Sequence, residues 1–390
     1  MVSFENTEIA FKSKTDSDLS RAYWLFRIIA SPRVVKFGKA ATNFALKAHL
    51  PINGMIKKTI FRQFCGGETI EECEKTIQHL GAFGIGTILD YSVEGKTSPE
   101  DFEKTTLEII ATLDKAKNSS YIPFAVFKVT GIAQFHILEK ANDSEDALSA
   151  DEKTQLDLVK SRVERICRRA HEANIPVFID AEESWIQDII DRITEDMMQL
   201  FNKERAIVFN TIQMYRHDRL DFLVKAIERA RAGSFHYGIK LVRGAYMEKE
   251  RARAQAKGYP SPIQPDKEAS DSDYNSALEI ILQNINILAL CAGTHNEHSS
   301  LYLTKLMEKY SISPSDKRIY FAQLLGMSDH ISFNLSDAGY NVAKYVPYGP
   351  VKEVLPYLLR RADENTSVAG QTGRELGLIT KEKNRRKASR

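Results

Sequence analysis

Cysteine is scarce in this sequence, at four in 390 residues, and no two stand in a CxxC spacing. That pattern excludes a disulfide framework and a thiolate zinc site. Most of Cys65, Cys73, Cys167 and Cys291 read as plain core residues, and a reducing cytoplasm fits them. Net charge is small as well. Its 54 basic and 52 acidic side chains leave +2, which gives no general pull toward nucleic acid. No run approaches the ~20 apolar residues that span a bilayer. The opening MVSFENTEIAFKSKTDSDLS lacks the basic-then-apolar layout of a signal peptide. There is no HExxH, so His295 and His298 read as ordinary polar side chains near a strand end. There is no GxGxxG after a first strand either, since Gly81, Gly84 and Gly86 precede that strand with the wrong spacing.

What is present is a regular alternation. Residues 1–80 read as a helical arm, with apolar residues three and four apart in LSRAYWLFRIIA and KFGKAATNFALKA. From about residue 84, eight short β-rich runs follow: 84–91, 122–129, 175–182, 206–213, 238–245, 287–294, 318–325 and 341–348. Amphipathic helices separate them; one places Leu156, Val159, Val163, Ile166 and Ala170 on a single face. Strands alternating with helices imply a parallel sheet, and eight units are the number that closes a (β/α)8 barrel over residues 81–370. Residues 371–390 read as a C-terminal helix with a basic tail, KEKNRRKASR, expected as a solvated terminus, with a weak attraction to anionic lipid as the second reading. The connection 247–270 is unusually long and follows the fifth strand, so it belongs to the active-site face. There it reads as a lid or a charged surface insert.

Barrel enzymes keep their chemistry at the C-terminal ends of the strands. Those ends carry Asp90, Lys128, Asp180 with Glu182, Gln213, Lys240 with Arg243, Thr294 with His295, and Tyr345. The first halves of the strands are nearly free of ionisable groups. Lys240 stands in the middle of GIKLVRGAY, and a cation taken out of water there needs an anion nearby. Singly, each residue has a bland role: Lys128 pairing with Asp180 or Glu182, Gln213 closing a loop, Tyr345 packing. Two apart on an extended strand, Asp180 and Glu182 are expected to share a face. Gathered at one end, the set reads as a polar bowl over an apolar barrel. Beyond the last strand, Arg360 and Arg361 project ~100° apart on a helix that Pro350 opens, with Glu364 placed to pair with either. The alternative is a solvated salt-bridge face.

The motifs KLVRGAY, FIDAEE, THN, QLLGM (323–327), and YVPYG followed by LRRADENT occur in order on these strands. Together they resemble proline dehydrogenase over about residues 60–370, and the chain is most similar to the monofunctional form. The resemblance implies a distorted (β/α)8 flavoenzyme with an N-terminal helical arm and its last barrel helix shifted over the mouth. It implies FAD-dependent oxidation of L-proline to 1-pyrroline-5-carboxylate by hydride transfer to flavin N5. Under it, Lys240 and Asp180 are catalytic. Ala181, Gln213, Lys240, Arg243, Gly244, Ala245, Thr294 and His295 meet the cofactor, the anion Lys240 calls for being the flavin. Lys128, Leu324, Tyr345, Arg360, Arg361 and Glu364 meet the substrate, with the arginine pair clamping its carboxylate. The better-known bacterial members carry arginine where this chain has Lys240. Relatives that prefer hydroxyproline lack a tyrosine at the position of Tyr345. Electrons leave for a quinone, which implies peripheral association with the inner face of a membrane. A rival reading on the same barrel is a lyase or aldolase forming a Schiff base on Lys128 or Lys240.

Overall fold

The computed structural model describes residues 2–31, 33, 53–93, 97–367 and 371–389. The expected helix KFGKAATNFALKA lies outside them, and so do the side chains of 362–367, Glu364 among them. Eight strands follow one another in chain order and close into a barrel. They are β1 (Ile85–Tyr91), β2 (Phe124–Lys128), β3 (Val177–Asp180), β4 (Val208–Gln213), β5 (Tyr237–Val242), β6 (Leu288–Gly293), β7 (Ile319–Leu324) and β8 (Val342–Tyr348). Each falls on one of the eight expected runs. Contacts divide the chain into two units, Gly95–Ala322 and Met1–Glu94 with Gln323–Arg390.

In the unit Gly95–Ala322, neighbouring strands pair in parallel from β2 to β7. Aromatic rings fill the N-terminal ends of these strands. Phe124 stacks on Phe178 at 4.4 Å between centroids, and Phe209 and Tyr320 meet Phe124 edge-on at 5.7 and 4.8 Å. Gly238 is required by this plug, because a Cβ there would sit 2.5 Å from the Phe209 ring. The helix Ala150–Ala173 starts at a capping box between Ser149 and Glu152 and stops at Asn174, which turns left-handed at φ 57°. Its buried face includes all five residues expected from their spacing.

The connection 247–270 is neither a bare lid nor a loose insert. It carries the helix Met247–Lys257, anchored by Glu250, which is 0% exposed. Glu250 accepts hydrogen bonds from the Ser184 N–H and the Ser184 hydroxyl, each at 2.6 Å, and so caps the helix Ser184–Phe201.

In the other unit, β1 and β8 pair over seven residues, from Ile85 with Val342 to Tyr91 with Tyr348. The helix Asp16–Ile29 opens on a capping box of Thr15 and Asp18. It packs Leu19, Ala22 and Phe26 with Leu378 and Ile379 of the helix Gln371–Ala388. The expected C-terminal helix runs on through the basic tail as far as Ala388. Its arginines have partners: Arg385 and Arg386 both bind Glu382, and Arg386 also donates to the carbonyls of Phe11 and Lys14. A second core joins Ile56, Phe61 and Phe64 to Val354, Leu355 and Leu358 of the helix Val351–Ser367, with Leu324 against it.

Candidate active site

At the C-terminal ends of β2 to β6 the polar residues named from the sequence come together. Lys240 is 6% exposed, and its ammonium is ion-paired with Asp180 at the end of β3. The same ammonium stands 5.8 Å from the Phe178 ring, at the top of the aromatic plug. The anion this buried lysine requires is thus supplied by the protein itself.

Asp180 and Glu182 take different partners, Lys240 for the first and Thr130 for the second. β3 ends at Asp180, and the chain then turns Glu182 toward Thr130, whose N–H donates to Oε1 at 3.0 Å while its hydroxyl donates to Oε2. Glu182 is 3% exposed. Burial pushes its carboxyl up to about 7, with the charge of Lys128 and the Thr130 hydrogen bonds opposing. Lys128 closes β2 and is the register partner of Asp180. Ala181, between the two acids, is buried.

Arg243, just beyond β5, is held on three sides. Nε donates to Asp271 at 2.6 Å, one terminal nitrogen to the Thr294 hydroxyl at 2.8 Å, and the other to the Ser299 hydroxyl at 2.9 Å. Its guanidinium also lies over the Tyr274 ring at 4.3 Å. Burial raises the Asp271 carboxyl, but Lys267 and Arg243 outweigh that and hold it below its usual value. Asp271 and Ser299 were not foreseen, because they lie on helices 28 and 56 residues further along. Gly244 has a requirement of its own: φ is +134°, and a Cβ would lie 2.4 Å from the Tyr215 ring. Ala245 is exposed, Thr294 buried and His295 half-buried. The Thr294 hydroxyl also accepts from the Asn296 N–H, and Asn296 caps the helix Glu297–Lys309.

These strand ends fit a flavin. Gln213, at the end of β4, donates from its amide nitrogen to the Glu182 carbonyl at 3.1 Å, while its Oε1 is buried with no hydrogen-bond partner among the described residues. A buried acceptor left open is costly unless a ligand donor meets it, and the polar edge of an isoalloxazine offers an N–H. The helix N-terminus at Asn296, beside Arg243 and Thr294, is the kind of place where phosphates bind. Among the described residues no group of acidic, histidine or cysteine side chains could hold a metal ion.

In the other unit, Tyr345 of β8 is buried and Leu324 half-buried. The arginine pair is not a solvated face. Arg361 is 7% exposed with its guanidinium 5.0 Å from the Tyr357 ring, and Arg360 is half-buried. Asp90, at the end of β1, accepts a hydrogen bond from the Ser92 hydroxyl at 2.6 Å.

The family model for proline dehydrogenase matches residues 73–374. "Proline dehydrogenase 1, mitochondrial" of Dictyostelium discoideum is 32% identical, the match covering 98% of this chain and 74% of that protein. A "Hydroxyproline dehydrogenase" of Xenopus laevis is 30% identical, over 96% of this chain and 88% of its own length. The crystal structure of proline utilization A from Bdellovibrio bacteriovorus superposes with a TM-score of 0.73 at 20% identity. It covers 93% of this chain, which spans only 38% of that longer protein. With a family match over most of its length, the chain belongs to the proline dehydrogenase family.

Proposed function

We propose that this protein oxidises L-proline to 1-pyrroline-5-carboxylate with FAD as its flavin. The observation that carries the proposal is the open Oε1 of Gln213, buried among the charged strand ends of a chain whose family implies a flavin. A bound flavin supplies the two-electron acceptor for hydride leaving C5 of proline. Gln213 would meet the ring's polar edge, with Lys240 and Ala181 beside the ring. Arg243, Gly244, Ala245, Thr294 and His295 would follow the phosphates. The ion pair with Lys240 holds the Asp180 carboxylate in place, and Asp180 assists loss of the amine proton through a water. Arg360 and Arg361 hold the substrate carboxylate by the guanidinium fork, Lys128 adds positive charge, and Glu364 orients the arginines. Tyr345 and Leu324 line the ring pocket. Retention of the Tyr345 ring favours proline over its hydroxylated analogue, the substrate named for the Xenopus relative.

The electrons pass to a quinone, and the protein works in the cytoplasm at the inner face of a membrane. The contact is proposed as peripheral; among the described residues no helix is long and apolar enough to cross a membrane. On the helix Asp16–Ile29, Trp24 and Ile28 are exposed, with Arg27 over the Trp24 ring at 5.3 Å, a combination that suits a lipid surface. All four cysteines are free, which accords with a reducing compartment. The curated relative from Dictyostelium is named mitochondrial.

The test is a visible spectrum. The purified protein is yellow and bleaches when proline is added under anaerobic conditions. Correctly folded protein that stays colourless with excess FAD, and is instead trapped by borohydride with a carbonyl substrate, would establish the Schiff-base reading on Lys128 or Lys240. The ion pair of Lys240 with Asp180 speaks against Lys240 in that role, because it engages the amine that would have to attack.

A further inference from the structure

Lys344 sits in the middle of β8, 0% exposed, one residue before Tyr345. Its ammonium is ion-paired with Asp329 at 2.8 Å and donates to the carbonyls of Met327 at 2.7 Å and Leu324 at 3.4 Å. Burial alone would raise the Asp329 carboxyl; Lys344, then Lys14 at 3.4 Å, outweigh it and hold it at about 2. The Asp329 carboxyl is therefore ionised, and the pair is buried, Lys344 at 0% and Asp329 at 8% exposed.

What Lys344 grips is the turn that carries Leu324. Gly326 and Ser328 in that turn have φ of +77° and +51°, a region that serine rarely adopts by preference. Its shape comes from outside ties. The Leu325 N–H donates to the Tyr345 carbonyl at 2.8 Å, and Gln63 donates to the Gly326 carbonyl at 2.9 Å. The Ser328 N–H donates to Glu375, which is buried on the C-terminal helix. Lys344 holds two of the carbonyls, at the two ends of the segment Leu324–Met327, and the Leu324 carbonyl also accepts from the Met327 N–H at 3.3 Å. Leu324 in turn packs on the core that includes Val354, Leu355 and Leu358, on the helix that bears the arginine pair.

We propose that Lys344, held by Asp329, is a positioning residue of the substrate site. It sets where Leu324 stands relative to Tyr345, and through that the room available around the proline ring. This rests on the reading that Leu324 and Tyr345 line the ring pocket. The plain alternative is a core ion pair with no bearing on substrate. A buried pair replaced by neutral groups of similar volume is often neutral for stability, so the two ideas can be separated.

The experiment compares wild type, the double variant Lys344→Met/Asp329→Asn, and Asp329→Asn alone. It measures flavin-to-protein ratio, Tm, and kcat and KM for proline and 4-hydroxyproline. The double variant is expected to keep its flavin while KM for proline rises about tenfold and kcat changes less than about threefold. The preference for proline over hydroxyproline falls about tenfold, as expected for a misplacement of an ångström or less. Asp329→Asn alone moves KM in the same direction by less, and it decides the matter if the double variant does not fold. An unchanged KM and preference, whether or not Tm or flavin content falls, overturns the proposal. A wild type that proline does not bleach fails the functional reading itself, before any variant is compared.

Discussion

Glu182 gives the protein a pH dependence that can be worked from the structure. Its carboxyl is ordinary in the unfolded chain, at 4.5, and raised to about 7 in the fold, chiefly by burial. The folded state therefore holds this proton more tightly. Stability from this group is fully present below 4.5, is lost as pH rises toward 7, and is level above that. Between pH 5 and pH 8 the loss amounts to about 2 to 3 kcal/mol at 1.36 kcal/mol per unit. Glu182→Gln cannot ionise and escapes this loss. Its amide oxygen can accept from the Thr130 N–H while its NH2 donates to the Thr130 hydroxyl, so the Thr130 contacts add at most a small cost independent of pH. Urea unfolding of both proteins at pH 5, 6, 7 and 8 isolates the effect, because all other titrations cancel in the difference. The variant should gain on wild type by about 2 to 3 kcal/mol across that range. A difference that stays constant from pH 5 to pH 8 would refute the reasoning, since the buried carboxyl would then not be titrating there.

Replacing Arg360 by Met should raise KM for proline about 10- to 100-fold, the worth of a charge-assisted hydrogen bond, with flavin content unchanged; steady-state kinetics beside the absorbance ratio checks it. Gly244→Ala puts a Cβ into the Tyr215 ring on a backbone at φ +134°, so Tm should fall and the flavin should be held more weakly in a fluorescence titration. Glu250→Gln can no longer accept from both the Ser184 N–H and its hydroxyl as a carboxylate does; it should cost about 1 to 3 kcal/mol in denaturant unfolding and quicken proteolysis near residues 247–257.

Much of the site was legible because a parallel strand writes its own pattern. Runs such as IPVFIDAE and GIKLVRGA are apolar until their last residues, and the structure puts those last residues together. The partners were less legible. Asp271 comes to Arg243 from another helix, and Glu250 to Ser184 across 66 residues, with no spacing to announce either. Lys344 is a different case. A lysine inside a strand was the signal that singled out Lys240, and NVAKYVPY carries the same signal. The partner of Lys344, Asp329, comes from a different element, and no spacing announces it. Asp180 and Glu182 were paired on the premise that the strand continued, whereas β3 stops at the first of them.

Order along the chain determined the strand sequence, the apolar first halves, the helix with Leu156 to Ala170 inward, and the positions where charge had to be answered. Those follow from local periodicity and from the cost of burying an unpaired ion. Only the tertiary structure decided which ion answers which. It gave Lys240 to Asp180, Arg243 to Asp271, Lys344 to Asp329, and left the Gln213 oxygen open. Such choices depend on distances of a few ångströms between residues far apart in sequence, and local pattern does not encode them.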